Sequence, residues 1–174
     1  MAIEKVKFQK IEVPLIKEEV YVIERPTEQF NNVTLRLDMT RRLRGKGCEI
    51  IFQLKADKDK LEVIPKRIHI FGFFIRRLIR AGTDYVEDSF DVKCKDATLK
   101  VKPFLITRKK VHSEVRKGLR NEAKKEIIEY VKDKIYEEIF IDLLQDNFQK
   151  NLSKKLKKIY PLSFCDIRDI FVVK

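Results

Sequence analysis

The sequence predicts an α+β protein with an antiparallel, β-barrel-like core, around which a long amphipathic helix and further helices pack. Through the first 110 residues, apolar side chains recur mostly at every second position, which is typical of strands. From Val111 the apolar spacing becomes that of an α-helix, and after Pro161 a short strand-like segment returns. Strands and helices do not alternate regularly, so a parallel α/β sheet is not expected. We expect one domain over residues 1–174: mainly β with one helix over 1–110, helical over 111–160, and a closing strand over 161–174.

The early strands are short runs of apolar and β-branched residues that end at proline, glycine or charged residues. In Val6–Val13 the alternation slips by one position at Gln9-Lys10, which predicts a bulge or a strand end there. Pro14 ends this first run, because proline cannot donate a ladder hydrogen bond. Lys55–Lys60 is expected to be the turn of a hairpin. The further predicted strands are Val20–Ile23, Val33–Leu37, Glu49–Leu54, Leu61–Ile64 and Arg67–Phe71.

Two segments that contain glycine interrupt the series of predicted strands. The connector Arg41–Gly47 contains two glycines and is expected to be a flexible basic loop. A helix is expected over Gly72–Gly82, because its apolar residues fall on one face and its three arginines on the other. Two strands, Ser89–Lys95 and Leu99–Thr107, are then joined by a turn at Asp96.

The second half predicts a long amphipathic helix. Apolar residues recur about every fourth position from Val111 to Ile135, which marks one side of a helix. Further helical turns continue to Ile159, and Pro161 ends them. Phe164–Val172 is expected to be the closing strand.

Net charge indicates the class of partner. The chain has 39 Lys and Arg against 27 Asp and Glu, a net charge of +12, which favours a polyanion over a small-molecule substrate. The excess is concentrated in four basic runs, whereas Glu126–Gln149 carries seven acidic and two basic residues. The acidic part of this segment, Glu126–Asp146, is therefore expected to face away from the polyanion, toward solvent or a basic protein neighbour. The basic runs are Arg36–Gly47, Lys66–Arg80, Lys93–Lys110 and Lys150–Lys158.

Motifs for catalysis, metal binding or cofactor binding are missing from the sequence. Gly45-Lys46-Gly47 lacks the spacing of a phosphate-binding P-loop, and the acidic residues of Asp84–Asp91 favour a charged edge strand over a Mg²⁺ site. The three cysteines are far apart, so neither a disulfide framework nor a zinc site is expected. We expect free thiols in a reducing cytosol instead. The opening residues Met1–Lys5 lack the apolar region of a secretory signal, and no apolar run is long enough to span a membrane.

Several short motifs, in order, resemble one protein family. Thr107-Arg108-Lys109-Lys110 runs into the long helix, Lys157-Lys158-Ile159-Tyr160-Pro161-Leu162 follows the helical turns, and Asp166-Ile167-Arg168 lies in the closing strand. Asp91-Val92-Lys93, Arg44-Gly45-Lys46-Gly47 and Val13-Pro14 supply weaker matches upstream. Together these resemble the archaeal and eukaryotic small-subunit ribosomal protein family S3Ae, also called eS1, in a short, archaeal-like form.

The resemblance implies a structural role without catalytic residues or cofactor. Members of the family bind small-subunit ribosomal RNA on the platform, near the messenger RNA exit and beside other platform proteins, in the cytoplasm. By charge and by this resemblance, we expect fifteen residues to contact phosphates. They are Arg41, Arg42, Arg44, Lys46, Lys66, Arg67, Arg76, Arg77, Arg80, Arg108, Lys109, Lys110, Arg116, Lys117 and Arg120.

Two other classes of function remain open at this point. The first is a peripheral membrane or protein-interaction module, which requires the apolar stripe of the helix from Val111 to Ile135 to be exposed. The second is an RNA-processing enzyme that uses the Asp84–Asp91 cluster with Mg²⁺.

Overall fold

The computed structural model describes residues 7–24, 26–57 and 60–173. The strands are β1 (Phe8–Val13), β2 (Glu18–Ile23), β3 (Thr34–Asp38), β4 (Cys48–Asp57), β5 (Lys60–Ile70), β6 (Tyr85–Glu87), β7 (Phe90–Lys93), β8 (Thr98–Thr107) and β9 (Leu162–Val172). The α-helices are α1 (Gly72–Leu78), α2 (Ser113–Lys132), α3 (Tyr136–Leu144) and α4 (Asn147–Leu156), and a 3₁₀ turn spans Thr27–Phe30.

The α+β class and the antiparallel sheet are confirmed, but the predicted barrel is wrong. Within the described residues, β1 and β2 form a hairpin and seven strands form one antiparallel sheet. The order is β3-β4-β5-β9-β8-β6, with β7 also paired to β8. In the described chain the edge strands β3 and β6 do not pair with each other, so the sheet stays open. The alternation of apolar and polar residues predicts strands and their tendency to pair. Closure of a sheet into a barrel depends on strand tilt and on the stagger of the hydrogen-bond register, which short stretches of sequence do not encode.

The chain divides into two compact units, each with its own apolar packing. The first contains residues before position 37 and Ile51–Lys66. There Ile11, Phe30 and Leu54 are buried together against half-buried valines and Leu61. The prediction that residues 1–174 behave as one domain stays a prediction.

The second unit contains Leu37–Ile50 and the residues from Arg67 onward. Helices α2 and α4 pack on each other, and α4 packs on β9. Their buried side chains include Leu119 and Ile127 of α2, Leu152 of α4 and Ile170 of β9. The strand β9 lies between β5 and β8, so the last part of the chain completes the centre of this sheet.

Two local predictions on the early strands are wrong. The pairing of β1 with β2 is continuous from Phe8 to Val13, so no bulge or break lies at Gln9-Lys10. The alternation slips because Phe8 lies on the exposed face of the hairpin, whereas Ile11 and Val13 are buried. Val6, which the prediction included, lies outside the described residues.

The second correction concerns β5. The two predicted strands Leu61–Ile64 and Arg67–Phe71 form one strand, Lys60–Ile70, that continues through Pro65. Residues 58–59 of the predicted hairpin Lys55–Lys60 lie outside the described chain.

Other differences concern turns and helix ends. The predicted helix Gly72–Gly82 ends at Leu78, because Ile79 already has an extended backbone. The connector Arg41–Gly47 is not a loose loop, since backbone hydrogen bonds close it, including Gly45 N–H to the Thr40 carbonyl at 2.9 Å. Gly45 has a φ of 86°, a conformation that favours glycine.

Candidate nucleic-acid interface

An open groove of about 550 Å³ on the second unit is lined by basic side chains from distant parts of the sequence. Residues of α4 and its flanking turns, of β9, of the turn after β8 and of the loop before β4 line it. An adjoining groove of about 470 Å³ shares Arg108, Ser163 and Phe164 with the first and adds Arg80. The cations of the first groove are Lys46, Arg108, Lys150, Lys154 and Lys157.

Helix α4 supplies lysines to the groove because its polar and apolar residues lie on opposite sides. Lys150, Lys154 and Lys157 are four and three residues apart, so they share one side of the helix and of the turn that ends it. Phe148 and Leu152 lie on the opposite side and are buried. All three lysines are exposed, and none forms an ion pair with any residue of the described chain.

The candidate residues inferred from the sequence omit these three lysines, although the basic run Lys150–Lys158 contains them. The signal that identifies them is the helical spacing of the run. Lys154 and Lys155 are adjacent in sequence, yet only Lys154 lines the groove. A count of basic residues treats the two alike, whereas the helical period separates them.

Hydrogen bonds fix the basic corner that follows β8. Thr107 is fully buried; its N–H donates to the Asp84 carbonyl at 2.9 Å, and its hydroxyl accepts from the Asp84 N–H at 3.1 Å. The Asp84 carboxylate accepts the Val111 N–H at 2.9 Å. The exposed residues Arg108, Lys109 and Lys110 therefore lie between two fixed points, and Arg108 lines both grooves.

A β-bulge in β9 places Ser163 at both grooves. Ile106 pairs with Phe164 and Thr107 pairs with Leu162, which leaves Ser163 as the extra residue. Bulges redirect side chains and are common beside functional sites. Here Ser163 lines both grooves, and its hydroxyl lies 3.3 Å from the Ile106 carbonyl and 3.4 Å from the Thr107 carbonyl, to which it donates.

Lys46 differs from the other cations of the groove because two carboxylates match its charge. Its Nζ lies 2.6 Å from Asp166 Oδ2 and 2.9 Å from Asp146 Oδ1. Burial disfavours the ammonium, but the two aspartates outweigh burial, so the pKa of Lys46 is raised and the side chain stays charged. The buried Asp166 also accepts the Ile167 N–H at 2.8 Å. Lys46 therefore connects the loop before β4 to the turn before α4 and to β9.

Arg67 is also paired within the protein. Its Nε and Nη2 donate to the two oxygens of Asp169 at 2.7 and 2.8 Å, in the forked geometry that suits a guanidinium. Lys102 donates to the same carboxylate at 3.2 Å. Both cations also lie over the Phe171 ring, at 5.6 and 5.5 Å from its centre.

The remaining candidate residues lie outside the grooves. Arg76 and Arg77 are exposed on α1, and Arg77 lies over the Phe74 ring. Lys66 is half-buried and belongs to the first unit. The other exposed candidates are Arg41, Arg42 and Arg44 before β4, Lys109 and Lys110 after β8, and Arg116, Lys117 and Arg120 on α2.

The acidic residues of Asp84–Asp91 are engaged in separate contacts. Besides the Asp84 contact, Glu87 accepts from Arg168 at 2.5 Å, and Asp91 lies 3.6 Å from Lys100. Among the residues that the structure describes, no group of three or more His, Cys, Asp or Glu side chains could hold a metal ion. Cys165 lines the groove, but burial raises the pKa of its thiol to about 12, so it is not a thiolate nucleophile at neutral pH.

The apolar stripe of α2 is buried rather than exposed. Leu119, Ala123, Ile127 and Val131 are each at most 2% exposed. The membrane alternative required this stripe to be free, and the structure contradicts that requirement. None of the described helices is long and apolar enough to cross a bilayer.

Glu126 and Glu129 of the acidic segment line a separate cleft beside α4, whereas Asp146 of the same segment lines the basic groove and pairs with Lys46. A cleft of about 230 Å³ between α2 and α4 is lined by Glu126, Glu129 and Tyr130 on one helix and by Lys155 on the other. Lys155 donates to Glu126 there. Deeper in the same segment, Asp142 accepts hydrogen bonds from both Tyr130 and Lys134.

Comparison with known proteins agrees with the resemblance seen in the motifs. A model of the Ribosomal S3Ae family matches residues 66–174. The small ribosomal subunit protein eS1 of Nanoarchaeum equitans (strain Kin4-M) is 28% identical over 170 residues, which cover 93% of this chain and 86% of that protein. These matches confirm the predicted family and the prediction of a ribosomal protein rather than an enzyme. The chain belongs to the Ribosomal S3Ae family.

Proposed function

We propose that this chain is a structural protein of the small ribosomal subunit that binds ribosomal RNA through its phosphate backbone. One observation carries the proposal: exposed cations from three of the four basic runs converge on the two adjoining grooves. These side chains are Arg80, Arg108 and the lysines at α4. Cations from distant parts of a chain repel one another, so their convergence on open grooves is best explained by an anionic ligand that follows the grooves.

The family and the name of the Nanoarchaeum relative support the small subunit as the location, in cytoplasmic ribosomes. By the same resemblance, the proposal extends to a position on the platform near the messenger RNA exit, with other platform proteins as neighbours. The exposed cations of the grooves favour phosphate contacts over base reading, because lysine and arginine charges attract phosphates of any sequence. The proposed partner is therefore structured ribosomal RNA recognised mainly by its shape.

The candidate residues take three roles in this proposal. Arg80, Arg108, Lys150, Lys154 and Lys157 contact phosphates in the grooves. Lys46 and Arg67, whose charges are matched by aspartates, hold the surrounding strands and loops in place. The other candidate residues, which do not line the grooves, are proposed to contact further phosphates; they are Arg41, Arg42, Arg44, Lys66, Arg76, Arg77, Lys109, Lys110, Arg116, Lys117 and Arg120.

The location is tested by sedimentation of a lysate of the source organism through sucrose gradients at low and high salt. We expect the chain to sediment with the small subunit at low salt and to be released progressively as salt screens the phosphate contacts. A chain that stays at the top of the gradient at every salt concentration would refute the ribosomal location.

The grooves are tested by measuring affinity for small-subunit ribosomal RNA transcribed in vitro, as a function of salt. In the triple variant Lys150→Ala, Lys154→Ala, Lys157→Ala, the log–log salt slope should fall by about 0.7–0.9 for each lost phosphate contact. The matched control is Lys95→Ala, Lys125→Ala, Lys132→Ala, which removes the same charge from exposed lysines outside the grooves. Equal losses in the two variants, or a flat salt response of the native chain, would contradict the proposed grooves.

A further inference from the structure

The outer face of the β1–β2 hairpin exposes three large apolar side chains. Phe8 is 63% exposed, Tyr21 67% and Ile23 47%. Phe8 pairs directly with Ile23, and Tyr21 lies two residues from Ile23 on the same strand. Because side chains alternate between faces, the three form one contiguous outer patch. We call these three residues the hairpin patch.

The patch does not result from a wrong strand register. The opposite face of the hairpin buries Ile11 and Val13, as an inner face should. A shift by one residue would expose those two side chains and bury charged ones. Polar β-formers such as threonine would serve an outer face in water equally well. Contiguous exposed apolar surface of this kind is typical of a contact with another macromolecule.

The charge around the hairpin patch favours a protein over RNA as its partner. Residues 7–24 hold three lysines and four glutamates, a net charge of −1 in a chain whose total is +12. On the outer face, Glu12 and Glu19 sit directly opposite each other in the pairing. Lys10 lies 2.5 Å from Glu19 and offsets one of these two charges. Like charges opposite each other destabilise a hairpin, so this end of the face is suited to receive a cation.

We propose that the hairpin patch docks a protein neighbour that presents apolar side chains next to a lysine or arginine. The apolar part packs on Phe8, Tyr21 and Ile23, and the cation pairs with Glu12 and Glu19. RNA bases stack well on exposed aromatic rings, but the acidic end repels the phosphates that accompany them. The hairpin lies outside residues 66–174, the part of the chain that the family model matches.

The test places the photo-crosslinking residue benzoylphenylalanine at Phe8 of the full chain, expressed in cells of the source organism. The control carries it at Thr34, an exposed position of the same unit. After irradiation, we expect from position 8 one discrete adduct that resists ribonuclease and is destroyed by protease. Its crosslinked peptide, identified by mass spectrometry, should contain a lysine or arginine beside apolar residues. An adduct sensitive to ribonuclease, or a position-8 yield no higher than at position 34, would overturn the proposal.

Two variants connect that adduct to the named side chains. Ile23→Thr shortens the patch but keeps a β-branched residue, and Glu12→Gln with Glu19→Gln removes the acidic end. We expect the adduct yield to fall in both, and by roughly two- to five-fold for each exposed ion pair lost in the second. Unchanged yield in both, with unchanged circular dichroism, would also overturn the proposal. Gradient fractions of the same lysate report separately whether the chain is ribosomal, so the two proposals fail independently.

Discussion

Helix α4 separates two regions of opposite character, the basic groove and the acidic cleft. Lys154 lines the groove, is exposed and has no ion pair within the described residues. Lys155, the next residue, lines the cleft and donates to Glu126, with Glu122 and Glu129 also raising its pKa. Side chains of adjacent residues on a helix point about 100° apart. Lys154 therefore lies at the groove without an ion pair, whereas Lys155 forms an ion pair within the protein.

This difference shows that the +12 charge overstates the number of cations available to RNA. Lys46, Arg67 and Lys155 have carboxylate partners within the protein. The groove lysines of α4 have none among the described residues, so their attraction to phosphate is not offset. The number of unpaired cations at the groove, rather than the net charge, should set the salt dependence of RNA binding.

The largest expected effect comes from removing the buried partner of Lys46 at the groove. Asp166→Ala leaves the Lys46 ammonium buried beside a single partly exposed aspartate. Breaking a buried pair in this way costs roughly 3–5 kcal/mol, so urea denaturation should show a loss of that size in the free energy of unfolding.

The matched control for that variant is Asp146→Asn, because the Asp146 side chain is 42% exposed. Asparagine also tolerates the positive φ of 55° at that position. We expect a much smaller loss of stability. Similar losses in the two variants would show that the buried carboxylate has no special role.

The second prediction compares the adjacent lysines of α4 directly. Lys154→Ala should lower the log–log salt slope of RNA binding by about 0.7–0.9, the value for one phosphate contact. Lys155→Ala removes the same charge one residue away and should leave the slope unchanged. Filter binding at several salt concentrations distinguishes the two. A drop in both would mean that the cleft side of α4 also meets RNA.

The third prediction concerns pH and the acidic side of α4. Burial tends to raise the pKa of Asp142, but the hydrogen bonds from Lys134 and Tyr130 outweigh it, so the pKa is lowered. A lowered pKa in the folded state adds stability above the unfolded value, which is about 3.9, and this stability is lost as pH falls through the folded pKa.

Asp142→Asn should therefore be less stable than the native chain at pH 7, and this difference should shrink below about pH 4. Thermal unfolding between pH 3 and pH 7 measures it. A difference that is the same at every pH would rule out the charged carboxylate as its source.

The smallest effect is expected for the exposed ion pair of the cleft. Lys155→Ala should change the urea midpoint only slightly, because exposed ion pairs add little to stability. Its effect should also disappear in high salt, which screens surface charges. A large loss that persists in salt would show that the Lys155 stem contributes packing as well as charge.

Local patterns in the sequence predict much of the fold but little of the pairing of charges. The change of period near Val111 predicts the helical block, and the alternation of Leu99–Thr107 predicts β8. The slip at Gln9-Lys10 is misread because an exposed Phe8 looks like a displaced core residue. The acidic residue Asp84 holds the backbone of Val111, a contact across 27 positions that no local pattern reveals.

The same reason explains which of the candidate residues lie at the grooves, while their contact with RNA stays a prediction. Arg80, Arg108 and Lys46 are found at the grooves, because basic runs mark charged surfaces. The aspartate partners of Lys46 and Arg67 lie about a hundred residues away, so the sequence does not show that these two charges are matched. The groove lysines of α4 can be identified from the sequence only if the helical period is applied within the basic run Lys150–Lys158.

The position of β9 has a consequence for the order of events during synthesis. This strand lies between β5 and β8, supplies Ser163 to the grooves and supplies Asp166 to Lys46. The ribosome that makes the chain releases it from the N-terminus, so β9 emerges last among the described elements. A nascent chain therefore carries the lysines of α4 before β9 has emerged to supply the rest of the groove.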